Sequence, residues 1–334
     1  MEEITRDTRP AEIESLKPYS KFLLYQCFQD GKSVAEMTFR EIHDIFPTWD
    51  MDSMILGMEY LSKAAEKKNI LYDVYSETEC MRDPEKRDVK VFFLPAAEQP
   101  SDKPFIICAS GGAYMCVCSA AESFPTAVRF NQLGYNVFVL NYRVKNSNHS
   151  LFPKPVDDMA AAVKYITENK DIFGLANTDY IVNGFSAGAN AAVIYGTEKM
   201  GYAKYGLPKP KALFPVYPVI STSAEYIQDS DARAWLQGIM FGESFSEDFA
   251  ETFNVPENMT SGYPPCYIVH AKDDMTVHPD NSKKLHQMLT ERKIPVRLEL
   301  AEFGDHGWGN GNGSGAAGWP DRAIHYFSHV IMNP

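Results

Sequence analysis

Short, nearly unbroken apolar runs constrain this chain most. Residues 105–109, 136–140 (after its leading Asn136), 180–182 and 267–269 place apolar, largely β-branched or aromatic side chains at successive positions. A strand with one wet face alternates. A strand that does not alternate is covered on both faces, as a parallel strand is between two layers of helices. Residues 88–94 read as a further strand, and Val296, Leu298 and Leu300 alternate with polar residues in a last one. The segments between them have helical spacing. Val156, Met159, Ala160, Val163 and Ile166 form one stripe, with Pro155 at its start and Gly174 beyond its end. Leu285, Met288 and Leu289 mark another helix after Pro279, and Ile324, Phe327, Val330 and Ile331 suit a final docking helix. The alternation predicts an α/β fold with a doubly wound, mostly parallel sheet.

Two regions break the alternation. Residues 1–69 are rich in helix formers and large apolar residues, and residues 222–262 contain Trp235, Leu236, Ile239, Met240 and Phe241. Both are expected to be helical, either as a cap over the functional edge of the sheet or as extra packing at its side. The expected organisation is an N-terminal helical segment over 1–69 and an α/β domain over 70–334, with a cap insertion at 222–262.

At 334 residues the chain can bury one large core or two small ones. Its net charge of -12 argues against nucleic acid and anionic membrane surfaces as partners. No apolar stretch reaches the length of a membrane-spanning helix. The acidic start Met1-Glu2-Glu3 carries no apolar signal region. The six cysteines are scattered, and Cys116-Val117-Cys118 has no second pair at zinc spacing, so they read as reduced thiols. A cytoplasmic protein without a metal centre is expected, and a homo-oligomer stays open.

The chemistry centres on Gly184-Phe185-Ser186-Ala187-Gly188. It follows the strand at 180–182 and precedes a run of small residues through Ala192. Strand, sharp turn and helix form a nucleophile elbow, which presents Ser186 at a helix N-terminus. A serine hydroxyl needs a base. His306, in Phe303-Gly304-Asp305-His306-Gly307-Trp308, follows the last strand and suits that role. The other histidines lie on predicted helices, in the N-terminal region, before the serine, in the loop expected to hold the acid, or, for His270, at a strand end where core packing is expected. The acid should stand in a loop between serine and histidine, where Asp273 and Asp274 both follow the strand at 267–269. Oxyanion donors would be the N–H of Ala187 and those of Ser110-Gly111-Gly112-Ala113-Tyr114, directly after the strand at 105–109.

These pieces, in this order, resemble the α/β-hydrolase superfamily, and within it the hormone-sensitive-lipase-like carboxylesterases and bacterial acetyl esterases. Ser110-Gly111-Gly112-Ala113-Tyr114 is similar to the family's His- or Pro-Gly-Gly-Gly-aromatic loop, with Ser110 and Ala113 as departures. Asn141-Tyr142-Arg143, Phe152-Pro153 with Asp158, and His306-Gly307 resemble further family positions. The likeness covers about residues 88–334. In the acetyl-esterase relatives the acid stands three residues before a valine and four before a proline. Val277 fits Asp274, but His278 displaces the proline by one, so Asp274 is preferred and Asp273 remains open.

The resemblance implies a serine carboxylic ester hydrolase acting on short-chain, chiefly acetyl, esters of sugars or other small molecules. Ser186, His306 and Asp274 would form the triad, with the N–H groups of Gly112, Ala113 and Ala187 as oxyanion hole. No metal or organic cofactor is implied. Tyr114 and Trp308 flank the site and would either contact substrate or pack in the core. Two rival readings are a peptidase or amidase on the same triad, and an inactive ligand-binding protein on the same scaffold.

Overall fold

The computed structural model describes residues 3–332. A two-stranded hairpin (β1, Phe28–Gln29; β2, Lys32–Ser33) precedes an eight-stranded sheet. The sheet strands are β3 (Leu71–Asp73), β4 (Lys90–Leu94), β5 (Phe105–Ala109), β6 (Val137–Asn141), β7 (Tyr180–Phe185), β8 (Ala212–Val216), β9 (Cys266–Ala271) and β10 (Val296–Ala301). Their spatial order is β10-β9-β8-β7-β5-β6-β4-β3. From β10 to β6 neighbours run parallel, while the β6–β4 and β4–β3 pairs are antiparallel. Every residue of β5, β6, β7, β8 and β9 is buried, as expected of strands covered on both faces.

The predicted helices appear with small shifts. The stripe Val156, Met159, Ala160, Val163 and Ile166 is buried on helix Lys154–Glu168. Leu285 and Leu289 bury the inner face of helix Asp280–Glu291. At the C-terminus, helix Trp319–Tyr326 gives way to a π-turn at Phe327–Ile331. That wider turn breaks the 3.6-residue period, so Phe327 docks while Val330 stays exposed, contrary to expectation. Two strands lacked a clear sequence signal. β3 has only three residues, and β8 carries Pro215, which has no N–H for a ladder.

Residues 3–69 form short helices, including Phe39–Ile45 and Met51–Ala65. Thr38 and Glu41 close a reciprocal capping box on the first, and Asp50 caps the second, each worth about 1 kcal/mol. This segment packs beside the sheet. Helix Met51–Ala65 lies on helix Ser123–Gln132, and Ser53 Oγ accepts a 2.8 Å hydrogen bond from Asn312. Residues 222–262 fold as helices Ser230–Phe241, Glu247–Glu251 and Val255–Asn258. No helix among the described residues is long and apolar enough to cross a membrane.

Candidate active site

The centre of the sheet ends in a strained turn. Ser186 follows β7 directly, opens helix Ser186–Tyr195 and has φ +49°. A non-glycine residue held in this left-handed region costs about 1–3 kcal/mol, which the surrounding packing must offset. The flanking glycines are required by contact. A Cβ on Gly188 would lie 2.1 Å from the Ala109 carbonyl oxygen, and one on Gly184 would lie 2.4 Å from that of Gly188.

Two loops bring Asp274 and His306 to the serine. His306 Nε2 lies 2.9 Å from Ser186 Oγ, and its Nδ1 lies 2.7 Å from Asp274 Oδ2. Asp274 is buried. Its Oδ1 accepts N–H groups of Thr276 and Val277 at 2.9 and 2.8 Å. Burial pushes this carboxyl up, but hydrogen bonds from His270 and His306 outweigh that and hold it at about 2. An ionised Asp274 fixes the proton of His306 on Nδ1 and leaves Nε2 to accept from Ser186. Asp273 faces elsewhere. Its carboxylate accepts the backbone N–H groups of Gly304 and Asp305 at 3.2 and 2.9 Å and so anchors the histidine loop.

The loop after β5 passes against Ser186, since a Cβ on Gly111 would lie 2.8 Å from Ser186 Cβ. Ala113 has φ +52° and Tyr114 φ +61°. The first is a left-handed position where the resembling family carries glycine. Among the described residues, the amides of Gly112 and Ala113 donate to no carbonyl or side chain, whereas that of Gly111 donates to Glu122 Oε2. Ala187 lies in the first turn of helix Ser186–Tyr195, where amides lack helical acceptors.

Several site residues carried no sequence motif. Glu122 is fully buried, and its Oε1 accepts from Tyr217 Oη at 2.9 Å, while Tyr217 Oη accepts from the Gly309 N–H at 3.2 Å. Burial pushes Glu122 up to about 7, against the pull of the Gly111 N–H and the Tyr217 hydroxyl. One carboxyl group thus joins the oxyanion loop, the end of β8 and the histidine loop. His270 is buried, with Nε2 3.1 Å from Asp274 Oδ2 and 2.8 Å from the Val277 carbonyl, and Nδ1 2.7 Å from Ser282 Oγ. Both partners of Nε2 are acceptors, so Nε2 carries a proton and Nδ1 can accept from Ser282. The expected core histidine is therefore also a neighbour of the acid. The only local signal for Glu122 was a lone charge in the small, apolar run from Ser119 to Phe124.

Tyr114 and Trp308 part ways. Tyr114 is buried in a cavity wall, with its hydroxyl 2.6 Å from Asn190 Oδ1. Trp308 does not reach the cavity. It packs edge-on against Tyr217 at 4.8 Å and donates from Nε1 to the Asp305 carbonyl at 3.2 Å, bracing the histidine loop. Arg143 and Asp158, at family-like positions, form a buried ion pair with Nε–Oδ1 3.0 Å. They tie the end of β6 to helix Lys154–Glu168, away from the serine.

The cavity holds about 480 Å³ and opens onto Ser186, Ala187 and Ala113. Its far side comes from residues 225–240, including Tyr226, Trp235, Leu236 and Met240, and from the loop at 275–278. Trp235 is 51% exposed at this wall. No cavity-lining residue comes from residues 3–69. That segment instead touches the histidine loop, where Trp49 and Thr48 approach Gly307.

A nucleophile elbow at the centre of a mostly parallel sheet, with the acid loop after β9 and the histidine loop after β10, defines the α/β-hydrolase fold. The chain belongs to the BD-FAE family, which it matches over residues 91–289. It is 28% identical over 216 residues to endo-1,4-beta-xylanase B of Butyrivibrio fibrisolvens, covering 63% of this chain and 33% of that protein. It is 25% identical over 228 residues to an acetylxylan esterase of Xylanibacter ruminicola, covering 66% and 44%. The chain therefore spans between a third and a half of the length of these relatives. Among solved structures, an acetyl ester-xyloside bifunctional hydrolase from Caldicellulosiruptor lactoaceticus superposes with TM-score 0.66 at 22% identity, over 78% of this chain and 96% of that one. A sugar hydrolase from Lactococcus lactis superposes with TM-score 0.60 at 26% identity, over 73% and 95%.

Proposed function

We propose that the chain is a serine carboxylic ester hydrolase for short acyl groups, chiefly acetyl, carried on sugars or other small alcohols. The observation that carries this reading is the hydrogen-bonded series Ser186, His306, Asp274, whose serine lines the cavity. Membership of the BD-FAE family and the acetylxylan-esterase relative support the ester and the sugar.

Ser186 Oγ attacks the ester carbonyl as His306 Nε2 takes its proton. The amides of Gly112, Ala113 and Ala187 receive the oxyanion. His306 then protonates the leaving alkoxide. Water, deprotonated by the same imidazole, attacks the acyl-enzyme and regenerates Ser186. Asp274 keeps the Nδ1 proton in place and stabilises the imidazolium. Trp235 offers an exposed aromatic face at the far wall, suited to the apolar face of a sugar ring. The insertion at 222–262 acts as the cap. All six cysteines are free thiols, which fits a reducing compartment, and we place the chain in the cytoplasm.

The test is turnover of matched nitrophenyl esters from acetyl upward, acetylated xylose, and the corresponding anilides. Hydrolysis should fall with acyl length and be far slower for amides. Preference for the anilides would replace the reading with an amidase. Absence of any nitrophenol release above the uncatalysed rate would replace it with a ligand-binding protein.

A further inference from the structure

Three thiols from two distant parts of the chain meet beside the oxyanion loop. Val117 forms an isolated antiparallel bridge with Tyr25, its N–H bonded to the Tyr25 carbonyl at 2.8 Å, and Ala120 N–H bonds the Leu23 carbonyl at 2.9 Å. This pairing lays residues 23–27 along residues 116–120. Cys116 and Cys118 flank the bridging residue. Side chains two apart on an extended segment share a side, so both sulfurs can meet a third from the neighbouring segment. Cys27 supplies it. Its Sγ lies 3.8 Å from Cys118 Sγ, and Cys118 Sγ lies 3.7 Å from Cys116 Sγ. All three sulfurs fall within 4.8 Å of one another.

These separations have a chemical meaning. A tetrahedral zinc ion with Zn–S bonds of about 2.3 Å sets its sulfur ligands about 3.8 Å apart. The spacing is far beyond the ~2.05 Å of a disulfide bond. The three donors are all sulfur; the thiols also meet the backbone carbonyls of Gly112, Tyr25 and Val117, and the Glu122 carboxyl lies within electrostatic reach of Cys27 and Cys116. Such a set selects closed-shell, thiophilic ions over magnesium or calcium. Cys27 and Cys118 are buried, while Cys116 is partly exposed and gives an ion a way in.

We propose that Cys27, Cys116 and Cys118 bind one thiophilic cation, Zn²⁺ or Cu⁺, as a tris-thiolate, with a fourth position left to water or a small thiol. Binding releases the thiol protons to solvent. The ion takes no part in the chemistry at Ser186. It staples the N-terminal segment to the oxyanion loop, whose Gly111 and Gly112 carbonyls already accept the N–H groups of Cys118 and Cys116 at 3.1 Å each. The site stands apart from the ester-hydrolase reading, so a Ser186→Ala protein should take up the same ion.

The experiment titrates reduced, metal-free full-length protein with Zn²⁺ and, anaerobically, with Cu⁺, each against a competing chelator. One ion per chain is expected, and the chelator competition identifies which ion binds more tightly. Co²⁺ should give thiolate-to-metal charge-transfer absorption. Melting temperature should rise by a few degrees at metal concentrations about a hundred times Kd. Cys27→Ser, Cys116→Ser and Cys118→Ser should each weaken binding by about a hundred-fold or more, while Cys80→Ser should leave it unchanged. In the unmutated chain, metal should protect Cys116, the partly exposed member of the three, from alkylation, as mapped by mass spectrometry, which needs no variant to fold. Absence of stoichiometric binding, binding undiminished in Cys27→Ser, or protection of other thiols instead would overturn the proposal.

Discussion

The Nε2 atom of His270 lies 3.1 Å from Oδ2 of Asp274, the same carboxylate oxygen that faces His306. A hydrogen bond to a charged group is worth about 1.5–3 kcal/mol. His270→Phe, which removes the donor but fills the space, should therefore lower kcat about ten-fold or more with little change in KM. His270→Gln, which can still donate an N–H, should recover part of the loss. Equal losses in both variants, or a change confined to KM, would show that the buried ring only fills volume.

Ser186→Ala should lower kcat by up to about 10⁶-fold while leaving the fold intact, since the hydroxyl has no structural partner besides His306 among the described residues. Circular dichroism and burst kinetics on the same preparation check this. Retained turnover would remove Ser186 from its role.

Asp274→Asn should cost on the order of 10⁴-fold in kcat by releasing the tautomer of His306. Asp273→Asn should cost far less, because its amide oxygen still accepts one of the two histidine-loop N–H groups, that of Asp305, and Asp273 makes no hydrogen bond with His306 among the described residues. Asp273→Ala should fall between them by loosening the histidine loop. The three rates, measured side by side, rank the two neighbours.

The buried carboxyl groups act on stability in opposite senses. Asp274 is depressed in the folded chain to about 2, so its contribution is present above pH ~4 and is lost as pH falls through ~2. Glu122 is raised to about 7, so its contribution is full below pH ~4.5 and is lost as pH rises through ~7. Denaturant midpoints should decline from pH ~4.5 to ~7 in the unmutated chain and decline less in Glu122→Gln, which keeps an acceptor for Gly111 without a charge. Parallel pH curves for the two proteins would remove Glu122 as the cause.

Trp235→Ala should raise KM for acetylated xylose several-fold and leave ethyl acetate almost unchanged, because only the larger alcohol reaches the far wall. Equal effects on both substrates would place the indole elsewhere in the reaction.

What could be read from the chain alone rests on short-range physics. Short apolar runs at 105–109 and 267–269, rich in β-branched and aromatic residues, read as doubly covered strands, and Gly184-Phe185-Ser186-Ala187-Gly188 after such a strand reads as a sharp turn into a helix. The loops holding His306 and the aspartate pair were legible for the same reason, as punctuation after strands. The tertiary structure decided everything that depends on which distant segments touch. Asp274 rather than Asp273 faces His306 because Asp273 is held by the backbone of the histidine loop. Glu122 and Tyr217 have no periodicity or motif, and they meet only because the end of β8 crosses beside the oxyanion loop. Trp308 packs inward because Tyr217 and the Asp305 carbonyl are there to receive it. Cys27 joins a Cys-x-Cys 89 residues away through one backbone bridge between Tyr25 and Val117. Period and turn chemistry are written within a few residues. Pairing across the chain is a property of the packed whole, where burial and hydrogen-bond satisfaction are settled together.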